Sequence, residues 1–461
     1  MPLMVSVSGI RGVWGDGLEP IRLTRFASGF GQWVRARARE KGLPARVVLG
    51  RDARQTGEVV ASLVSATLRA FGCEVIDAGL ATTPTVEMAV PRATAAGGIV
   101  LSASHNPAQW NALKLLNEEG EFLTPEQGKE VLAYLDKEPA VAPYYALGEC
   151  KRRDFLAYHI ERIVQLPYIH PPRIAARDFK VVVDGVNSVG GIAVPELLRR
   201  LGVRPERIIC LNCEPTGAFA HNPEPLPEHL TAIMEAVRAE GADIGIAVDP
   251  DVDRLALIQE DGSYFGEELT QVLAADFMLS IRSGPVVTNL SSSRALDDIA
   301  RKYGQVVYRS PVGEVHVVQK MKEVGAVIGG EGNGGVILPD LHYGRDALAG
   351  IALVLQHLAN TGRTLSEIRA TYPTYIMGKF KLPLEDVPAD ALLQALAGAY
   401  PKARVTTIDG VKIDWDDSWV HVRKSNTEPI LRIYVEAPTK QRVQKLAAAI
   451  MEKIKALSRT S

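Results

Sequence analysis

The chain has 461 residues, 46% of them hydrophobic and 23% charged, with a formal net charge of −2. This is the composition of a globular protein with room for roughly three or four domains, and its charge gives no bulk attraction for nucleic acid or an anionic membrane. No segment approaches the roughly 18 uninterrupted apolar residues of a membrane span, and the first dozen residues carry Arg11 and lack the apolar core of a secretory signal. The cysteines, Cys73, Cys150, Cys210 and Cys213, are too few and too scattered for a disulfide framework. Cys210-Leu-Asn-Cys213 has the spacing of a zinc knuckle but no second pair follows it, so all are read as reduced thiols of a cytoplasmic protein.

Ser8-Gly9-Ile10-Arg11-Gly12 opens the chain with a glycine-flanked arginine. It reads as a tight turn presenting a guanidinium suited to phosphate or carboxylate, and a plain surface turn fits those residues equally. A repeat follows. A strand over 46–49 leads into Gly50-Arg51-Asp52-Ala53-Arg54, a helix over 59–71, Gly72 and a second strand over 73–76. The same order of strand, loop, helix, glycine and strand returns within 179–211 and 285–308.

Each copy is followed by another apolar strand ending in a loop of unusual composition. These are 97–101 into Ser102-Ala103-Ser104-His105-Asn106-Pro107, 242–248 into Asp249-Pro250-Asp251-Val252-Asp253-Arg254, and 325–328 into Gly329-Gly330-Glu331-Gly332-Asn333-Gly334-Gly335. α/β sheets bind ligands beyond the carboxyl ends of their strands, so similar domains around a common cleft would turn these loops to one place. Ser104 reads as a nucleophile on an exposed loop, although Ser, His, Asn and Pro also make an ordinary turn. Asp249, Asp251 and Asp253 alternate, and three such carboxylates converge only when a hard divalent cation offsets their repulsion. Arg254 stands where an EF-hand needs its glycine, which excludes that loop; magnesium suits a site whose other ligand is a phosphate.

Beyond Gly344-Arg345-Asp346 an amphipathic helix is expected over 347–360, and the proline-containing 382–388 reads as a boundary. The remainder reads as an α+β unit, with strands over 409–413, 419–422 and 430–435 and a helix over 440–457. Its loop, Arg423-Lys424-Ser425-Asn426-Thr427-Glu428-Pro429, offers cations, hydroxyls and an amide as a phosphate cradle, or forms a plain hairpin loop.

Ser-Gly-Ile-Arg-Gly, Ser-Ala-Ser-His-Asn-Pro, Asp-Pro-Asp-Val-Asp-Arg, Gly-Gly-Glu-Gly-Asn-Gly-Gly and Arg-Lys-Ser-Asn-Thr-Glu-Pro, in that order across residues 8–429, resemble the α-D-phosphohexomutase family over essentially the whole chain. The resemblance implies an α/β fold of four domains around a central cleft: three similar α/β domains with mixed sheets, at 1–150, 151–256 and 257–372, and a smaller C-terminal α+β domain at 373–461. It carries a phosphoserine onto Ser104, with Mg2+ held by that phosphate and by Asp249, Asp251 and Asp253. Arg11, Lys114 and Arg254 are then catalytic, Lys114 as a general acid/base shifted toward neutrality by neighbouring cations. Glu331 and Asn333 bind the sugar, and Arg423, Ser425, Asn426 and Thr427 bind the distal phosphate. The implied reaction interconverts hexose 6-phosphate and hexose 1-phosphate through a bound hexose 1,6-bisphosphate. A phosphosugar is the partner, with no nucleic acid or membrane, and a homodimer is compatible with the resemblance.

Many members have Ser at Asn333, His at Gly335 and His at Glu314; here the pattern is more similar to archaeal-type phosphoglucosamine mutases. That points to glucosamine phosphate, with phosphomannomutase or phosphoglucomutase activity as the alternative. A metal-dependent sugar phosphatase would not need the distal phosphate loop, and a non-catalytic sugar-phosphate-binding paralogue would not need Ser104 with its carboxylates.

Overall fold

The strand Arg46–Arg51 pairs in parallel with Glu74–Leu80 on one side and with Gly97–Leu101 on the other. Val181–Asp184 does the same with Ile208–Leu211 and Ile244–Val248, and Val286–Asn289 with Val307–Ser310 and Ile328–Glu331. The sequence repeat is therefore a structural repeat with one strand order. Its first strand is central, because a helical crossover returns the chain parallel to it on either flank. The computed structural model describes residues 3–6, 9–138, 140–384, 389–425 and 430–458. It forms two units, Met1–Thr270 with Asn333–Arg369, and Gln271–Gly332 with Ala370–Ser461.

In the first unit an 8-stranded mixed sheet is built on the first repeat. Strand alternation separates its two cores. Val47, Leu49, Ile99 and Leu101 pack with the helices Pro20–Lys41 and Gly57–Ala70, whereas Val48 and Val100 pack with Val86, Ala89 and Val90 of the helix Thr83–Arg92. The second repeat forms a 4-stranded sheet in which Leu255–Ile258 returns antiparallel to Ile244–Val248. Both Gly97–Leu101 and Ile244–Val248 are buried along their whole length, which fixes where the chain emerges after each.

The second unit holds the third repeat and a 5-stranded antiparallel sheet, ordered Ile376–Pro383, Ile430–Ala437, Trp419–Lys424, Val411–Asp414 and Arg404–Thr406. One face of this sheet packs on the helices Ala389–Gly398 and Lys440–Ser458. Among the described residues no helix is long and apolar enough to cross a membrane.

Local readings of the sequence need correction in four places. Arg11 lies not in a turn but on the strand Gly9–Trp14, antiparallel to Trp110–Leu116 with Gly9 opposite Lys114. A Cβ at Gly9 would run into the Leu113 carbonyl, so this glycine serves close strand approach. The third loop begins later than expected, because Ile328–Glu331 is strand and Glu331 ends it; glycine at 329 leaves room for the Met321 side chain of the helix Glu314–Val324. The helix Ala347–Thr361 is not amphipathic: every residue from Ala347 to Leu358 is buried, as expected of a helix apolar on all sides. Leu382 and Pro383 end a paired strand and are no linker, while 385–388 lie outside the described residues.

Candidate active site

Ser104 follows the buried strand Gly97–Leu101 and is itself only 3% exposed, not the solvent-presented residue its loop composition suggested. Its backbone is held at φ +49°, a left-handed conformation costly for a residue with a Cβ. The surroundings enforce it. The Ser104 N–H donates to Ser102 Oγ (2.9 Å), and Ser102 Oγ donates to Asp52 Oδ2 (2.6 Å). Arg54, paired with Asp52 at 3.0 Å, donates to the carbonyls of Ser104 (2.6 Å), Asn106 (2.7 Å), Pro107 (2.6 Å) and Trp110 (2.9 Å). One buried guanidinium thus sets the curvature of the whole loop.

Asp249, Asp251 and Asp253 are fully buried, with ligand oxygens within 4.8 Å of one another. Asp249 Oδ1 accepts the N–H groups of Asp253 and Arg254, each at 3.1 Å, and Oδ2 accepts Ser104 Oγ at 2.6 Å. Val252 at φ +64° supplies the reversal that turns the alternating carboxylates together. Thr83 Oγ1 donates to Asp251 and Arg345 Nη2 to Asp253 Oδ2 (2.7 Å). The Oδ1 atoms of Asp251 and Asp253 are buried with no hydrogen-bond partner among the described residues. Burial first, then repulsion from Asp253 and Asp251, push the Asp249 carboxyl well above its ordinary range. Burial acts the same way on Asp253, but Arg345, Lys114 and Arg254 outweigh it and hold that carboxyl low. Hard oxygen donors, two of them without a hydrogen-bond partner among the described residues, fit a divalent cation.

Two of the cations come from neighbouring strands and a third from the aspartate loop itself. Lys114, on Trp110–Leu116, places Nζ 2.5 Å from Asp251 Oδ2 and 3.6 Å from Asp253 Oδ2. Burial works against its charge, but those carboxylates prevail and raise its pKa, the reverse of the cation-lowered lysine expected from sequence. Arg11 donates to Asn106 Oδ1 (2.8 Å) and is lowered chiefly by burial. Arg254 Nε lies 3.9 Å from Asp253 Oδ1. His105 Nδ1 is 3.3 Å from Ser104 Oγ; burial, then Arg254 and Arg11, lower it to about 2, so this imidazole stays neutral.

Of the other expected site residues, Asn333 belongs to the first unit, and Glu331, Arg423 and Ser425 to the second. Glu331 Oε1 accepts Asn289 Nδ2 (2.9 Å) and the Gly313 N–H (3.1 Å). Asn333 Oδ1 accepts the Gly335 N–H at 3.2 Å. Arg423 Nε is 3.3 Å from Asp409 Oδ2, and Ser425 is 4% exposed. Asn426 and Thr427 lie outside the described residues. Glu314 opens the helix Glu314–Val324. Gly335 has a steric reason: the Arg345 side chain fills the space a Cβ there would need, so a histidine at 335 and this arginine conformation exclude each other. Sequence reasoning missed Arg54, Thr83 and Arg345. The first lies in the loop of the first repeat and the last in Gly344-Arg345-Asp346, both visible as loops but without a visible partner.

A serine hydroxyl on a buried all-oxygen carboxylate cluster, ringed by cations at the ends of repeated α/β strands, is equipped to exchange phosphoryl groups. Residues 3–141, 157–262 and 266–375 match phosphoglucomutase/phosphomannomutase α/β/α domains I, II and III, and residues 381–453 match the C-terminal domain. A "Phosphoglucomutase/phosphomannomutase" of Thermococcus kodakarensis is 36% identical over 95% of both chains. A "Probable phosphoglucosamine mutase" of Pyrococcus abyssi is 35% identical over 98% of this chain and 96% of its own. The crystal structure of a phosphoglucomutase/phosphomannomutase family protein from Burkholderia thailandensis superposes with a TM-score of 0.84 at 27% identity, covering 98% of each chain. The chain belongs to the phosphoglucomutase/phosphomannomutase family, with its four-domain α/β architecture, and is a phosphohexomutase, an isomerase acting by phosphoryl transfer.

Proposed function

We propose that the chain interconverts hexose 6-phosphate and hexose 1-phosphate through a phosphoserine at Ser104 and a bound hexose 1,6-bisphosphate, with glucosamine phosphate as the best substrate. Asp249, Asp251, Asp253 and the Ser104 phosphate would hold Mg2+. The observation that carries this reading is the 2.6 Å contact of Ser104 Oγ with Asp249, beside the buried, unpartnered oxygens of Asp251 and Asp253. In the first transfer the P–Oγ bond of phosphoserine breaks and a P–O bond forms to a free sugar hydroxyl, whose proton passes by way of Lys114 to the released Ser104 oxygen. After the bisphosphate turns over, Ser104 Oγ forms a P–O bond to its other phosphoryl group, the P–O bond to the sugar breaks, and the serine proton passes by way of Lys114 to the sugar oxygen released. When bound, the cation supplies neutralising charge to the phosphoryl oxygens and to the carboxylates that otherwise keep Lys114 protonated. Arg11 and Arg254 stabilise charge on the transferring group, while Arg423, Ser425, Asn426 and Thr427 hold the distal phosphate.

Glucosamine is favoured because the Glu331 carboxylate can pair with a 2-ammonium group and Asn333 can donate and accept. The Pyrococcus abyssi relative's name agrees with it, and that of the Thermococcus kodakarensis relative supports a second reading, glucose or mannose phosphate. The test is kcat/KM for the three sugar phosphates with the 1,6-bisphosphate as activator. A glucosamine value well below both others would overturn the sugar and leave the mutase standing.

A further inference from the structure

The second unit contains a cavity of about 580 Å³ that shares no residue with the site above; it is lined from 294–309 and 402–416. Strand register dictates its chemistry. Val411, Ile413, Val420 and Val422 point into the helix-covered core, which forces Lys412, Asp414, Trp419 and His421 onto the opposite face. That face meets the third repeat: Ser291 Oγ lies 2.8 Å from His421 Nδ1, and the Arg294 guanidinium donates to the carbonyls of Trp415 (3.3 Å) and Asp416 (2.7 Å).

Lys412 lines the cavity and is 2% exposed. Its ammonium stands 4.5 Å from the Trp419 ring centroid and 3.6 Å from Asp414 Oδ1, with no hydrogen-bond partner among the described residues. An ammonium has three donors, so a buried one in this state lacks acceptors. Burial, then the Arg309 guanidinium, push it down to about 7, as expected of a lysine short of negative charge. Arg309 is itself matched by Asp297 at 2.6 Å. At the exposed edge Arg404 sits 3.5 Å from Asp414, and Lys402 has no ion-pair partner among the described residues. Cationic side chains outnumber carboxylates two to one around the cavity. The Trp415 ring, fixed edge-to-face against Tyr400 at 5.8 Å, adds a flat apolar wall. The volume falls in the range of small-molecule sites and exceeds what a lone phosphate needs.

We propose that this cavity binds a small diphosphate-bearing molecule, its phosphates running from Lys412 to Arg404 and Lys402 and any ring it carries lying on Trp415. Diphosphate is the chemistry that supplies acceptors to the buried ammonium and to the edge cations together. Free pyrophosphate and a nucleoside diphosphate share that group, and the ring distinguishes them.

The test is calorimetric titration of the full chain in metal-free buffer with sodium pyrophosphate and, separately, uridine diphosphate. We expect a binding event that survives Arg423→Ala, which addresses the distal phosphate loop, and weakens by about tenfold or more in Lys402→Glu/Arg404→Glu, which removes two charge-assisted contacts. Both substituted residues are exposed and outside the catalytic machinery, so sugar-phosphate turnover should be unchanged in the double variant. Lys412→Met should also abolish binding; should it fail to fold, the exposed double variant decides. No binding at millimolar ligand, or binding insensitive to the double variant, overturns the site. Uridine diphosphate binding no tighter than pyrophosphate overturns the role given to Trp415.

Discussion

Ser104 is held in a conformation that few non-glycine residues adopt, and its hydroxyl is spent on a buried carboxylate. Ser104→Ala removes the proposed phosphoryl acceptor and one hydrogen bond while keeping the same backbone. Turnover should fall by about a thousandfold or more, and stability by only about 1 kcal/mol. Steady-state assay with denaturant unfolding checks both; near-normal turnover would sink the phosphoserine mechanism. Asp251→Asn removes one charge from the proposed metal cluster and weakens the ion pair of Lys114. The Mg2+ concentration giving half-maximal activity should rise by about tenfold or more, and EDTA should silence the wild type; activity that survives chelation would exclude a catalytic metal. Ser104 and the three aspartates were legible because their chemistry lies within a few consecutive residues. Thr83 and Arg345 were not, because each meets its carboxylate from 168 and 92 residues away along the chain. Nothing in Gly344-Arg345-Asp346 announces a partner at Asp253.

The segment that delivers Arg345 is clamped just before the helix Ala347–Thr361. Asp346 caps that helix through Oδ1, and its Oδ2 lies 2.8 Å from His159 Nε2 and 3.2 Å from His342 Nε2. His342 Nδ1 is 3.3 Å from Glu87 Oε2. Burial pushes the Glu87 carboxyl up, whereas the histidines hold Asp346 low. Burial opposes charge on His342, but its contacts with Asp346 and Glu87 win and raise it from 6.5 to about 10. A folded pKa above the unfolded one means that this stabilisation is complete below about pH 6.5 and is lost as pH rises through about 10. His342→Gln should therefore cost about 3 kcal/mol at pH 6 and progressively less as pH approaches 10. Urea unfolding of both proteins across that range checks it; a gap independent of pH would mean that His342 acts by packing alone. At this scale the repeat was readable, since strand, helix and glycine punctuation are local signals. The burial of the helix Ala347–Thr361 on all sides was not, because sequence polarity cannot say what covers Gln356 and His357, both buried.

Across the whole molecule the charge nearly cancels, with a net of −2, so any affinity for a phosphosugar must come from local fields and not from bulk attraction. Arg423 illustrates such a field. It is next to last in the strand Trp419–Lys424, its Nε is buried without a hydrogen-bond partner among the described residues, and its ion pair with Asp409 at 3.3 Å is loose. A guanidinium in that state can take a phosphate without first breaking a strong bond. In the proposed cycle the distal phosphate belongs first to one end of the sugar and then, after the bisphosphate turns over, to the other. A group serving both half-reactions has to recognise phosphate and stay indifferent to the ring. Arg423→Ala should accordingly raise KM for glucosamine, glucose and mannose phosphates by a similar factor, about tenfold or more for one lost charge-assisted contact, and leave their order of preference unchanged. Steady-state kinetics on the three substrates in both directions check this. A rise confined to one sugar would move Arg423 from phosphate recognition to ring recognition, and a rise in one direction alone would mean that the two ends of the intermediate do not share this residue.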